Sequence, residues 1–207
     1  MIFLSAFLLS IASNLETLRI SLTYGIKKIY LTKSIAILIA ITTSMGTLIS
    51  MYLGKFILNF FKPEHSNIFG GILLSVIGVY FIVEYIRLGE KNSGYDTSYY
   101  FESSFKYINI LENPDILHSD KLNSIDIKKC LTLSEAIILK NFWTCFAASI
   151  TGISISLSTI FNFIIIIFCV YLGNFNSNMY ISKWFTKYSN LISGVILIVL
   201  GLYETFI

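Results

Sequence analysis

The sequence predicts an all-α integral membrane protein with six transmembrane helices arranged as a 3+3 inverted repeat. Three observations carry this prediction. Of 207 residues, 55% are hydrophobic and only 13% are charged, against about 25% charged in soluble domains, and the mean hydropathy is +0.74. Thirteen of the 27 charged residues fall between Arg87 and Leu131, so one hydrophilic segment interrupts an otherwise apolar chain. Finally, the two halves share Gly, Asn and Tyr residues at common spacings.

Apolar runs place helices at 2–25, 34–61, 67–88, 132–154, 157–175 and 188–206, each near the roughly 20 residues that cross a bilayer core. Strands are excluded, because a lipid-exposed strand needs a closed barrel and short alternating segments. The first run lacks a basic leader and a small-residue cleavage site and carries Asn14, Glu16 and Arg19, so it reads as a retained span rather than a signal peptide. The chain then divides into a first three-helix repeat (1–88), a 43-residue hydrophilic loop (89–131) and a second three-helix repeat (132–207).

Positively charged loops stay cytoplasmic. Lys27, Lys28 and Lys33 flank the first loop, Arg87, Lys91, Lys106, Lys121, Lys128 and Lys129 the third, and Lys183 and Lys187 the fifth. Only Lys55 and Lys62 lie on the other side. Eleven against two places both termini outside the cell membrane and the 89–131 loop in the cytoplasm.

Internal repetition is sought before any other feature. Asn14, Thr17 and Gly25 recur as Asn141, Thr144 and Gly152, offset by 127; Tyr52-Leu53-Gly54 recurs as Tyr171-Leu172-Gly173. Ser66-Asn67, Gly71, Gly78 and Tyr80 recur as Ser189-Asn190, Gly194, Gly201 and Tyr203, all offset by 123. With three spans per unit, the second unit enters the membrane from the opposite side, as in many secondary transporters, whose sites lie near the midplane between the repeats. That rule points to helices one and four.

Helix one carries two polar stripes on opposite faces. Ser10, Asn14, Thr17 and Ser21 form one, partly repeated in helix four by Asn141, Thr144 and the small Ala148. Ala12, Glu16, Arg19 and Thr23 form the other, replaced in helix four by Leu139, Trp143, Phe146 and Ile150. The first stripe has two readings, helix packing, in which each polar contact is worth about 0.6 kcal/mol, or a small-ion or solute site. The second is costlier to bury, about 2.5–3.5 kcal/mol for one charge at the bilayer centre. Glu16 and Arg19 are spaced to pair on one face, and Lys140 should lie at a similar depth. These three form either a structural ion network or an altered substrate site, and Glu16 is the sole candidate metal ligand.

Glu84, Glu135 and Glu204 lie near the expected helix ends and read as solvated. His65 and His118 are isolated, and Asp115, Asp120, Asn123 and Asp126 lack the spacing and glycine turn of a calcium loop. Cys130, Cys145 and Cys169 are an odd number without metal-ligand spacing. No nucleophile with its base and no phosphate-binding glycine loop appears, so neither enzyme activity nor a cofactor is expected. A net charge of +3 without basic, aromatic-interleaved patches argues against nucleic acid. The expected partners are the lipid bilayer and a small ion or solute.

Ser13-Asn14-Leu15-Glu16-Thr17 followed by Tyr24-Gly25-Ile26 resembles the S-N-L-D-N and Y-G-I stretches of the YtaF family of sporulation membrane proteins, relatives of the MntP manganese exporters in the LysE transporter superfamily. The run from Asn113-Pro114 through Ile125-Asp126 to Glu135-Ala136 is similar to that family's loop, and Gly71 and Gly78 fit its third helix. The resemblance implies a transporter-like fold associated with sporulation in the cell membrane. The departures are Glu16 and His118 at acidic positions, Leu122 and Asn123 in place of Ser and Gly, Trp143 in place of a polar residue and Arg19 at a small-residue position. An added cation and a lost polar ligand work against a divalent metal site. Three functions stay open: transport of a small ion or solute, a non-transporting scaffold with a degenerate site, and divalent cation export.

The orientation has a direct test. In intact cells, cysteine introduced at Lys62 is expected to react with a membrane-impermeant reagent and cysteine at Lys106 to be protected; the reverse pattern overturns the topology.

Overall fold

A computed structural model of the chain describes residues 2–26, 31–58, 63–92, 127–175 and 179–206. Among them are six helices: α1 (Ile2–Ile26), α2 (Lys33–Leu58), α3 (Pro63–Asn92), α4 (Ile127–Ile150), α5 (Ile155–Phe175) and α6 (Met179–Phe206). Five are long and apolar enough to cross a membrane. The exception is α4, 24 residues long, whose apolar run is interrupted by Lys128, Lys129, Glu135 and Lys140. Ile49, Val76, Val83, Ile164 and Val199 point outward from the bundle, as expected where the surroundings are hydrocarbon rather than water. The chain is a multi-pass membrane protein. Residues 93–126 lie outside the described residues, and with them the expectations for His118, Asp115, Asp120, Asn123 and Asp126.

Helix ends depart from the apolar runs for local reasons. A run marks only the part of a helix that sits in lipid, whereas polar turns continue it beyond. Thus α3 begins four residues earlier than expected, at Pro63, and continues to Asn92; proline suits a first helical position, where its missing N–H has no partner to lose. At the other extreme α4 stops at Ile150. Gly152 has φ +83°, and the amides of Gly152 and Ile153 donate to the carbonyls of Ser149 (3.2 Å) and Ala148 (3.3 Å). This is a Schellman ending, in which a left-handed glycine closes the last turn. Thr32 caps α2 through its hydroxyl to the Ile35 amide. Asn174 at the end of α5 brackets Leu31, accepting from its amide (3.0 Å) and donating to its carbonyl (2.6 Å).

The main helix pairs are α3 with α6, α1 with α5, α2 with α4, α1 with α6, α3 with α4, and α2 with α5. Exchanging α1, α2 and α3 for α4, α5 and α6 maps this set of pairs onto itself. The glycines repeated in α3 and α6 lie at close approaches of the two helices. A β-carbon on Gly78 would lie 2.7 Å from the Gly194 carbonyl oxygen, and one on Gly194 2.6 Å from that of Gly78. Gly71 and Gly201 are related in the same way, at 2.5 Å in each direction. Small residues let membrane helices pack backbone on backbone, where van der Waals contact does the work that hydrophobicity does in water.

Two apolar clusters divide the interior. One gathers Tyr24, Leu31, Ile35, Ile39, Leu133 and Ile137; the other gathers Leu9, Met51, Leu74, Cys145, Ile153 and Leu197. Between them, along α1, lie Ser13, Asn14, Glu16, Thr17 and Arg19, all buried.

Because the α3–α6 contact is made by backbone, Gly78→Val should overpack it, at a cost of about 1–3 kcal/mol. Thermal unfolding in detergent is expected to show a lower midpoint for Gly78→Val and Gly194→Val, and an unchanged midpoint for Val79→Leu on the outward face.

Candidate functional site

A buried charge is tolerated only when it is paired and hydrogen-bonded. The Glu16 carboxylate on α1 meets that requirement through both oxygens. Oε1 accepts from the Arg19 guanidinium one turn on, and Oε2 accepts from Lys140 Nζ on α4 at 3.0 Å. Lys140 Nζ also lies 3.3 Å from Glu84 Oε2 on α3 and 3.2 Å from Asn190 Oδ1 on α6. Its ammonium has three protons, and three oxygens surround it. The Phe81 ring, 5.2 Å from Nζ, adds a cation–π contact. Two carboxylates and two cations make this layer formally neutral, and it joins α1, α3, α4 and α6.

The expected reading of Glu84 as solvated is corrected: it is buried and pairs with Lys140. The physical reason is the length of α3. Because the helix continues to Asn92, Glu84 sits more than two turns inside it rather than at an end. Glu135 is exposed and Glu204 half-buried.

The opposite face of α1 builds a second, uncharged cluster. Asn14, at the midpoint of α1, donates through Nδ2 to the Ser10 carbonyl (2.8 Å) and to Asn162 Oδ1 on α5 (2.6 Å). Asn162 passes the chain on, donating from Nδ2 to Thr47 Oγ1 on α2 at 3.1 Å. The Ser10 carbonyl accepts only from an NH₂ group, so the orientation of the Asn14 amide is set by its partners. Its oxygen, buried, has no hydrogen-bond partner. From α4, Asn141 donates through Nδ2 to the Ser13 carbonyl at 2.8 Å. Asn14, Asn141, Asn162, Thr43, Thr47 and Ser50 line a cavity of about 10 Å³, about the size of one water molecule.

The sequence candidates therefore separate into two groups. Glu16, Arg19 and Lys140 form the charged layer, while Asn14 and Asn141 line the neutral cavity. Thr17 and Thr144, at repeat-equivalent positions, are buried, and neither hydroxyl has a hydrogen-bond partner; they are not among the cavity's lining residues. Leu139 and Trp143, where helix four departs from the charged stripe, point outward. Among the described residues, no three His, Cys, Asp or Glu side chains gather to hold a metal. Asn162, Glu84 and Asn190 were missed from sequence. Asn162 sits in a strongly apolar run, yet at the Tyr52–Tyr171 offset of 119 it aligns with Thr43, and that correspondence was the available signal.

Neutrality of the charged layer has a measurable consequence. Breaking a buried ion pair costs about 3–5 kcal/mol, so Glu16→Gln, which leaves one uncompensated cation, should sharply lower the yield of folded protein. Glu16→Gln with Arg19→Met restores neutrality and keeps the Lys140–Glu84 pair. It should recover more folded protein than additivity of the single variants allows, by monodisperse yield and thermal unfolding. The combination with Lys140→Met should recover less, since Glu84 then loses its cation.

No family model matches the chain. No solved structure matches it either. What it is similar to is the probable sporulation protein YtaF of Bacillus subtilis (strain 168), at 26% identity over 209 residues covering 97% of this chain and 98% of that protein.

Proposed function

We propose that the chain is a membrane transporter of the YtaF kind that serves in sporulation, moving a small ion or solute through the interface between α1 and α4. On this reading all six helices span the cell membrane as a 3+3 inverted repeat, with both termini outside. The observation that carries it is the placement of Asn14 and Asn141, repeat-equivalent residues, on one neutral cavity at mid-helix depth. Inverted-repeat transporters hold substrate where their halves meet. The two apolar clusters flanking this level are what an occluded site requires, since either must part for access from its side.

Manganese export is the weaker reading. A divalent metal favours oxygen ligands carrying net negative charge, whereas Glu16 already gives one oxygen to Arg19 and the other to Lys140. The engagement of both Glu16 oxygens by cations of the chain itself favours instead a scaffold that keeps the fold without transport as the second reading.

Reconstitution separates these. Liposomes containing the full chain are expected to pass a small ion, sodium, potassium or manganese, faster than empty liposomes, and Asn141→Leu is expected to slow that flux by at least about tenfold, the effect of losing one polar contact of roughly 1.4 kcal/mol to the moving species. Flux indistinguishable from empty liposomes for every ion and for small polar solutes overturns transport and leaves the scaffold. Protection of an exporter-deficient strain against manganese would restore the metal reading.

A further inference from the structure

The cavity between α1, α2, α4 and α5 has a chemical polarity that its residue names conceal. Asn, Thr and Ser each carry both donors and acceptors, so a cluster of them suits a water or an anion as well as a cation until the protons are accounted for. Here most of them are accounted for. Thr43 donates its hydroxyl proton to the Ile39 carbonyl (2.6 Å), Thr47 to the Thr43 carbonyl (3.1 Å) and Ser50 to the Phe142 carbonyl (2.5 Å). The amide protons are directed in the same way. Those of Asn14 go to the Ser10 carbonyl and to Asn162; Asn162 donates to Thr47, and Asn141 to the Ser13 carbonyl. Beyond one amide proton each on Asn141 and Asn162, what these groups have left to offer is oxygen lone pairs, with the buried, unpartnered Asn14 Oδ1 the clearest case.

A ring of neutral oxygens with most of its protons turned away is the chemistry that replaces the hydration shell of an alkali cation in channel filters and at transporter midplanes. We propose that this cavity binds one alkali-metal cation through neutral side-chain oxygens from α1, α2, α4 and α5. The inference deepens the transport reading, resting on it only for the cation's role as cargo or coupling ion.

Charge and size set the class. No carboxylate is among the lining residues, so nothing offsets a second positive charge, and the cost of desolvating an ion grows with the square of its charge. The acidic residues Glu16 and Glu84 are engaged by Lys140 in the other layer. A volume of about 10 Å³ admits a single water-sized occupant, which excludes an organic cation and a hydrated metal. An anion would meet only the second amide protons of Asn141 and Asn162, with no cationic side chain among the lining residues to offset its charge.

The test uses the full chain in detergent, comparing sodium, potassium and choline chloride at equal ionic strength. Sodium or potassium should raise the thermal midpoint saturably, as ligands of the native state do, and choline should not. Asn14→Leu should weaken the apparent affinity about ten- to a hundredfold, the range for losing one polar contact to a charged group. Asn14→Asp should shift the response towards manganese, by supplying the missing negative charge. Identical responses to sodium, potassium and choline in the parent protein overturn the proposal whether or not the variants fold, as does an undiminished alkali response in a folded Asn14→Leu. Saturable alkali binding without flux in liposomes would leave the cation site standing and remove the transport reading. Flux without any alkali response would do the reverse.

Discussion

Lipid cannot hydrate a charge, and from that constraint the arrangement of α1, α3, α4 and α6 follows. Lys140 is held in the bundle only because oxygens from the three other helices surround it, Glu16 from α1, Glu84 from α3 and Asn190 from α6. Reciprocally, Glu16 is tolerated only because Arg19 and Lys140 take its two oxygens. The charges thus specify which helices must meet and at what depth, to a degree that van der Waals packing among Ile, Leu and Val does not. Helix pairing by small residues then brings the backbones together, at Gly71 with Gly201 and Gly78 with Gly194.

Much of this was legible in the sequence, for reasons that differ by residue. The glycines were visible because their spacing repeats and because a close helix approach tolerates little else. Asn14 and Asn141 were visible as an offset pair, and Glu16 with Lys140 because unpaired charges in apolar runs demand partners. Glu84 was misread because an apolar run reports the thickness of lipid rather than the length of the helix, and α3 outruns its lipid-facing part at both ends. Asn162 was hidden for a related reason: a single amide in a run such as that of α5 barely alters its hydropathy. Its importance comes from a partner 148 residues away, a relation that no local pattern contains.

The repeat is imperfect in an informative place. On α1 nearly every side chain from Leu9 to Gly25 is buried, so both polar stripes face protein. On α4 the face equivalent to the charged stripe presents Leu139 and Trp143 outward, where polar groups would have no partner. The two helices therefore serve different uses. α1 is enclosed and polar on two sides, whereas α4 contributes Asn141 to the shared cavity and Lys140 to the charge layer from adjacent positions.

That adjacency, and the two-residue separation of Asn14 from Glu16, places two layers of opposite character on the same pair of helices. The charged layer is closed around Glu16, both of whose oxygens accept hydrogen bonds, and Glu84 Oε2 meets Lys140 as an ion pair without a hydrogen bond, so a substitution there acts first on folding. The neutral layer is incomplete, with the Asn14 oxygen unpartnered. A lost activity in a Glu16 variant consequently carries two meanings, a missing ligand or a missing fold, and does not choose between a transporter and a scaffold. A substitution in the neutral layer strands no charge, only hydrogen-bond partners, so its cost to folding is smaller and a folded variant can be read for the ligand. The residues that look most chemical in this sequence are those that hold it together, and the plain amides between them are where a ligand would be felt.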